Sequence, residues 1–140
     1  MNITPKQLAS LSLSGLVLSL LVHLLTVTGI YYVSGITVGA LTIGMLAAWL
    51  LSSRMVRQLS GKDDHPWKTV FASIPEWLRY LFFFMVIYAL INTLFSIETD
   101  TGNGYFDSRV SPLKIRLLSG FWMLIYLIGF LVGIHNREAE

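Results

Sequence analysis

The sequence predicts an all-α fold, a bundle of four transmembrane helices. Hydrophobic residues make up 54% of the 140 residues and charged residues only 13%. The mean hydropathy is +0.65, whereas soluble domains carry about a quarter charged residues. The charges separate three long apolar stretches, the first of them long enough for two crossings, because about 20 such residues are enough for one helix to cross the hydrocarbon core. The length therefore leaves room for a single membrane domain, residues 1–140.

The first two spans come from an uncharged stretch, residues 7–53, which contains no Lys, Arg, Asp or Glu. As one helix it would be about 70 Å long, enough for two crossings. The break should fall at the "YYVSGIT" segment, where paired tyrosines suit the headgroup level and a glycine weakens the helix. We place the spans at about 8–30 and 35–53.

Two polar segments bound the remaining spans. The first segment, residues 54–76, contains "PWKTVFASI", whose apolar spacing fits either a short interfacial helix or a loop at the surface. The third span follows at about 77–97. The second polar segment, residues 98–116, is rich in turn residues and leads to the fourth span at about 117–134.

The distribution of basic residues predicts the orientation. The termini and residues 54–79, counted to include Arg79 at the start of the third span, carry seven Lys or Arg, and the opposite side carries three. Cytoplasmic segments hold the excess of such residues. We expect both termini in the cytoplasm and segment 98–116 outside.

Small residues recur on the predicted helices at spacings of three or four, which places them on shared faces. Such residues let membrane helices approach closely. The predicted packing positions are Gly15, Ser19, Gly35, Gly39, Gly44, Gly129 and Gly133.

A second set of side chains is polar or aromatic and should lie at one depth, roughly 5 to 11 Å below the outer surface. We expect these side chains to converge in a small polar chamber that segment 98–116 covers. The candidate site residues are His23, Thr42, Tyr88, Asn92, Ser119, Trp122 and Tyr126.

His23 is the titratable group of the first span, and it has two interpretations. A buried imidazole must find partners, so it should bond to Asn92, a hydroxyl or the backbone and hold helices together. Alternatively, an intramembrane ionisable residue carries proton or ligand chemistry. The structural interpretation is the one we expect.

Several chemical functions find no support in the sequence. The chain has no cysteine, and its spans contain no Asp or Glu, which argues against thiolate sites and clustered metal or hydrolase sites. Haem held by two histidines would need two facing imidazoles, but His65 and His135 fall at or beyond the predicted membrane surface. We therefore expect no enzyme activity, cofactor, metal or nucleic-acid partner.

Three segments, "LVHLLTVTGI", "IPEWLRYLFFFMVIYALIN" and "IRLLSGFWMLIY", resemble a family of small bacterial membrane proteins with four helices and no assigned activity. The matching positions are His23, Pro75, Trp77, Tyr88, Asn92, Arg116, Ser119, Gly120, Trp122, Met123 and Tyr126. The family tends to have histidine where this chain has Phe121, and its outer loop is longer. The resemblance implies an integral protein of the bacterial inner membrane.

Together these observations predict a non-enzymatic membrane protein that acts through contacts with lipid, a membrane-protein partner or a second copy. The alternative is a small transporter or ligand-binding protein that uses a polar site around His23 and Asn92.

Overall fold

The computed structural model describes residues 3–28, 33–60, 66–97 and 112–138, and within them the chain is helical with no strand. This confirms the predicted all-α class. The helices are α1 (Pro5–Val27), α2 (Gly35–Ser60), α3 (Pro66–Ser73), α4 (Glu76–Ile97) and α5 (Pro112–Glu138).

Four of these helices contain a segment long and apolar enough to cross a membrane, which makes the structure compatible with a multi-pass membrane protein. These segments are Pro5–Val27, Gly35–Gln58, Glu76–Leu94 and Lys114–Asn136. We call the end of the bundle where α1 begins and α2 ends the basal end. The other end, where α1 ends and α5 begins, is the distal end.

Each helix extends beyond its predicted span at one end or both, because apolarity does not mark where a helix ends. The opposite occurs at the end of α1, which stops at Val27 and not near residue 30. α1 begins at Pro5, not near residue 8, since Thr4 and Gln7 form a capping box with bonds of 2.9 and 3.3 Å. α2 continues past Arg54 to Ser60. α5 begins at Pro112, because proline suits the first helical turn.

The "PWKTVFASI" segment forms a helix, α3, which resolves the choice between helix and loop. Its Trp67 ring stacks on Trp49 of α2, with centroids 6.4 Å apart and planes 15° apart. On the other side Phe71 meets Phe82 of α4 at 5.0 Å. These aromatic contacts attach α3 to the basal end of the bundle.

α5 is the central helix and α4 the most exposed one. Within the membrane-crossing window, 56% of the α5 positions are buried, against 11% for α4. α1 packs along most of α5 in the opposite direction, while α2 and α4 pack on other faces of α5. A large part of α4 therefore presents apolar side chains to its surroundings, including Tyr80, Phe84 and Leu94.

The buried apolar side chains form two clusters, one toward each end of the bundle. The distal cluster consists of Val22, Val33, Val38, Leu41, Ala48, Ile115, Trp122 and Tyr126. The basal cluster consists of Leu8, Val56, Val70, Ile74, Leu78, Leu127, Leu131 and Val132. The buried polar side chains of α1 lie between α1 and α5 along the same length.

Candidate functional site

The interface between α1 and α5 is a continuous seam of small and polar residues. It pairs positions in opposite chain order, as expected for antiparallel helices. The observed pairs are Ala9 with Gly133, Ser12 with Gly129, Gly15 with Tyr126, His23 with Ser119 and Thr26 with Arg116.

Glycine is required at several positions of this seam because the neighbouring helix occupies the space of a side chain. A Cβ on Gly133 would lie 2.7 Å from the backbone nitrogen of Ala9. A Cβ on Gly129 would overlap the hydroxyl of Ser12 and lie 3.3 Å from that of Ser52. Such contacts let helix backbones approach closely in a membrane.

Tyr126 fills the space that two other glycines leave open. A Cβ on Gly15 would overlap the Tyr126 ring, and one on Gly44 would overlap its hydroxyl. That hydroxyl donates a hydrogen bond of 3.0 Å to the carbonyl of Leu41. One side chain of α5 therefore joins α1 and α2.

The other predicted packing positions, Ser19, Gly35 and Gly39, have different surroundings. Ser19 is fully buried and donates to the carbonyl of Gly15 at 2.7 Å, within its own helix. Gly35 is the first residue of α2. A Cβ on Gly39 would meet nothing within 4 Å, so the expected packing contact at Gly39 is absent from the described residues. Gly39 lies on a face of α2 with open space beside it, although Val38 and Leu41 of the same turn are buried.

His23 lies at the centre of a buried hydrogen-bonded group that joins three helices. Its Nδ1 is 2.7 Å from the hydroxyl of Ser119 on α5. Its Nε2 is hydrogen bonded to the hydroxyl of Tyr88 on α4, whose ring also meets the imidazole edge-on at 5.4 Å. His23 is 5% exposed and Ser119 is fully buried. Both ring nitrogens are thus occupied by hydroxyls.

Two arrangements of hydrogens satisfy a neutral imidazole in this group. The Ser119 hydroxyl also lies 3.0 Å from the carbonyl of Arg116. If Ser119 donates to that carbonyl, His23 Nδ1 donates to Ser119 and Nε2 accepts from Tyr88. If Ser119 donates to Nδ1, then Nε2 donates to Tyr88. The geometry therefore permits both tautomers.

The remaining candidate residues form two neighbouring contacts. Trp122 is fully buried, and its indole N–H donates to the hydroxyl of Thr42 at 3.2 Å. Thr42 in turn donates to the carbonyl of Val38 at 2.8 Å. On the other side of α5, the Nδ2 of Asn92 would lie 3.8 Å from a Cβ on Gly120. Asn92 therefore belongs to the close contact between α4 and α5.

Arg116 is a polar participant that the list of candidate residues omitted. Its guanidinium donates to the carbonyl of Thr26 at 3.2 Å, and the Thr26 hydroxyl donates to the carbonyl of His23 at 2.7 Å. A cation suits the last turn of α1, where helix carbonyls lack partners within the helix. The signal in the sequence was an arginine one turn before Ser119.

Position 121 does not contribute to this polar group. Phe121 is 40% exposed, while its neighbours Gly120 and Trp122 are buried between helices. A histidine at position 121 would therefore face the surroundings of the bundle and would not complete a site with His23.

Two of the grooves on the described part of the bundle are apolar. One, of about 420 Å³, lies between α1 and α2 and includes Gly15, Gly44 and Tyr126. The other, of about 290 Å³, lies between α1 and α5 at the basal end. Neither is lined by His23. The predicted roof of the polar chamber was segment 98–116. Residues 98–111 lie outside the described residues, and residues 112–116 belong to the beginning of α5 and not to a loop.

Within the described part of the chain, His, Asp and Glu residues form no group of three that could hold a metal ion. No protein-family model, curated protein or solved structure matches the chain significantly. The resemblance to small bacterial four-helix proteins therefore stays a prediction, and function must be argued from the geometry.

Proposed function

We propose that the chain is a multi-pass integral membrane protein without catalytic activity, which acts through contacts in the plane of the bilayer. Its partners would be lipid, another membrane protein or a second copy of the chain. The observation that carries this proposal is the distribution of polar groups on α1. Its buried polar side chains, Ser12, Ser19, His23 and Thr26, lie on the face that packs against α5, whereas most of its exposed side chains are apolar, as at Val17, Leu21 and Leu24.

The geometry around His23 supports a structural role for the polar group. Both imidazole nitrogens already have partners from the same chain. Ser119, the hydroxyl that a histidine base could activate, is fully buried, so a substrate could not reach it without separating α1 from α5. A nucleophile must contact the reacting atom, which this arrangement prevents.

We further propose that the protein resides in the bacterial inner membrane with its basal end in the cytoplasm. The resemblance described above supports the compartment. The excess of basic residues supports the orientation, and exposed Arg54, Arg57 and Lys68 all lie at the basal end.

Labelling of single cysteines tests the orientation, because the chain contains no cysteine of its own. Thr28→Cys lies at the distal end of α1 and Lys68→Cys on α3, both at exposed positions. A membrane-impermeant maleimide should label Thr28→Cys in intact cells and Lys68→Cys only after permeabilisation. The opposite pattern would overturn the orientation, and release of the protein by alkaline carbonate would overturn membrane insertion.

Native mass spectrometry of protein released from its own membranes tests the mode of action. A defined oligomer, a membrane-protein partner or retained lipid would support the proposal. A protein that is monomeric and bare in every mild extraction would contradict it.

The second candidate function is binding or transport of a small ligand or proton near His23. One observation favours it: Tyr88 is only half-buried, so its bond to His23 links the buried imidazole to the lateral surface of α4. Under this hypothesis His23→Gln should abolish the cellular function at normal abundance. Under the structural hypothesis it should lower abundance or stability and leave the remaining protein functional.

A further inference from the structure

The basal groove between α1 and α5 combines an apolar wall with a positive charge at its end. It has a volume of about 290 Å³ and is lined by Lys6, Ala9, Ser10, Leu13, Phe130 and Ile134. Ala9 and Ser10 are small and leave space, whereas the three large apolar side chains border it. From this geometry we propose that the groove binds an anionic phospholipid of the leaflet at the basal end.

The depth of the groove fits part of one acyl chain. From Lys6 to Leu13 the helix rises roughly 10 Å, whereas one leaflet of the hydrocarbon core is about 15 Å thick. A chain that enters beside Lys6 would therefore follow the groove over about two thirds of its leaflet. The lining beyond Lys6 and Ser10 is apolar, as contact with hydrocarbon requires.

The charge at the mouth of the groove selects an anionic headgroup. Lys6 is exposed in the first turn of α1 and has no ion pair within the described ranges. That turn contains no acidic residue, so the positive end of the helix dipole adds to the charge of Lys6. A lysine near the end of a span extends its ammonium to the headgroup level. The lipid phosphate would bind there.

A second copy of the chain fits this groove less well. A symmetric contact places the same surface on both sides of the two-fold axis. Two Lys6 ammonium groups would then approach each other at the mouth of the groove. Like charges oppose that contact, whereas a phosphate neutralises the charge.

The inference rests on the proposed membrane insertion but not on which membrane partners the protein has. The test uses the full chain in a mild detergent, titrated with phosphatidylglycerol or phosphatidylcholine of identical acyl chains and followed by native mass spectrometry. Phosphatidylglycerol should bind about fivefold more tightly than phosphatidylcholine, which is the effect expected for one basic residue near an anionic headgroup. Glycerol phosphate without acyl chains should not compete at the same concentration.

Two pairs of variants separate the charge from the groove. Lys6→Gln should remove the preference for phosphatidylglycerol, whereas Arg57→Gln, an exposed basal cation outside the groove, should keep it. Ser10→Trp should fill the groove and weaken both lipids, whereas Val17→Trp, on the exposed side of α1, should change neither. Thermal unfolding of each variant verifies that it is folded.

Three results would overturn the inference. The unchanged chain could bind the two lipids equally. Lys6→Gln and Arg57→Gln could reduce the preference for phosphatidylglycerol equally, or a folded Ser10→Trp variant could bind both lipids as tightly as the unchanged chain. Failure of membrane insertion would instead appear as release by carbonate, before any lipid is added. The two proposals can therefore fail independently.

Discussion

Tyr88→Phe tests whether the bond to His23 holds α4 on the bundle. The change removes one hydroxyl and leaves His23 Nε2 without the partner it has in the structure. Hydrogen bonds between membrane helices contribute about 0.6 kcal/mol on average and up to about 1.7 kcal/mol. Because the imidazole is 5% exposed, solvent cannot replace the lost partner, and we expect a loss of about 1 to 2 kcal/mol in unfolding free energy.

The assay is reversible unfolding in mixed micelles, followed by circular dichroism. Tyr80→Phe is the matched control, because Tyr80 lies on the same helix and is 72% exposed; its unfolding free energy should change by less than about 0.5 kcal/mol. A double-mutant cycle with Ser119→Ala adds a second criterion. Both hydroxyls bind one imidazole, so the two losses should not be additive.

Equal unfolding free energies for Tyr88→Phe and Tyr80→Phe would refute the structural role of the His23 group. Additive losses for Tyr88→Phe and Ser119→Ala would refute the cooperative connection through the imidazole. If Tyr88→Phe and Tyr80→Phe unfold with equal free energies, the close contact between Ala89 of α4 and Gly120 of α5 would be what holds α4 on the bundle.

Three further predictions can be tested by the same unfolding assay. Gly15→Ala should destabilise the protein by about 1 to 3 kcal/mol because its methyl group overlaps the Tyr126 ring. Gly39→Ala places its methyl group in open space and should leave the unfolding midpoint unchanged or raise it. Equal unfolding midpoints for the two variants would contradict the close packing proposed at Gly15. Thr42→Val should lower the unfolding free energy by about 0.6 to 1.7 kcal/mol and shift tryptophan fluorescence, because the Trp122 indole loses its acceptor. Thr93→Val is the control: the Thr93 hydroxyl donates to the carbonyl of Ala89 within α4, so its loss should leave the emission unchanged. Ser12→Ala should keep or raise stability because the buried Ser12 hydroxyl has no partner among the described residues, in contrast to a loss for Ser119→Ala; destabilisation by both would indicate that Ser12 has a partner.

The fold class could be predicted from the sequence because a run of about 20 apolar residues identifies a candidate membrane helix without any knowledge of its tertiary contacts. Helix ends could not be placed equally well, since they depend on caps and on the continuation of helices past the membrane, as at Thr4 and Ser60. The choice between helix and loop for α3 depended on tertiary contacts, because eight residues are too few to form a stable helix alone.

The partners of the candidate residues could not be predicted from the sequence. Periodicity placed His23 and Ser19 on one face of α1, but only the packing of α1 on α5 determines that Ser119 lies opposite His23. Gly39 and Gly44 each belong to a series of small residues spaced by four, but a Cβ on Gly39 would meet open space, whereas one on Gly44 would overlap the Tyr126 hydroxyl. Sequence spacing therefore identifies a possible interface, and tertiary packing decides which residues form it.

The seam joins the first helix of the chain to the last, which sets an order for biosynthesis. His23 and Ser119 are 96 residues apart, and at about 5 to 20 residues per second their synthesis is separated by roughly 5 to 20 s. During that interval the polar face of α1 must find partners other than α5 inside the membrane. Photo-crosslinking from position 19 in ribosome-stalled chains that end before α5 should capture those temporary neighbours and lose them once α5 is made. The fold is thus complete only when α5, the last helix to be synthesised, has packed against α1.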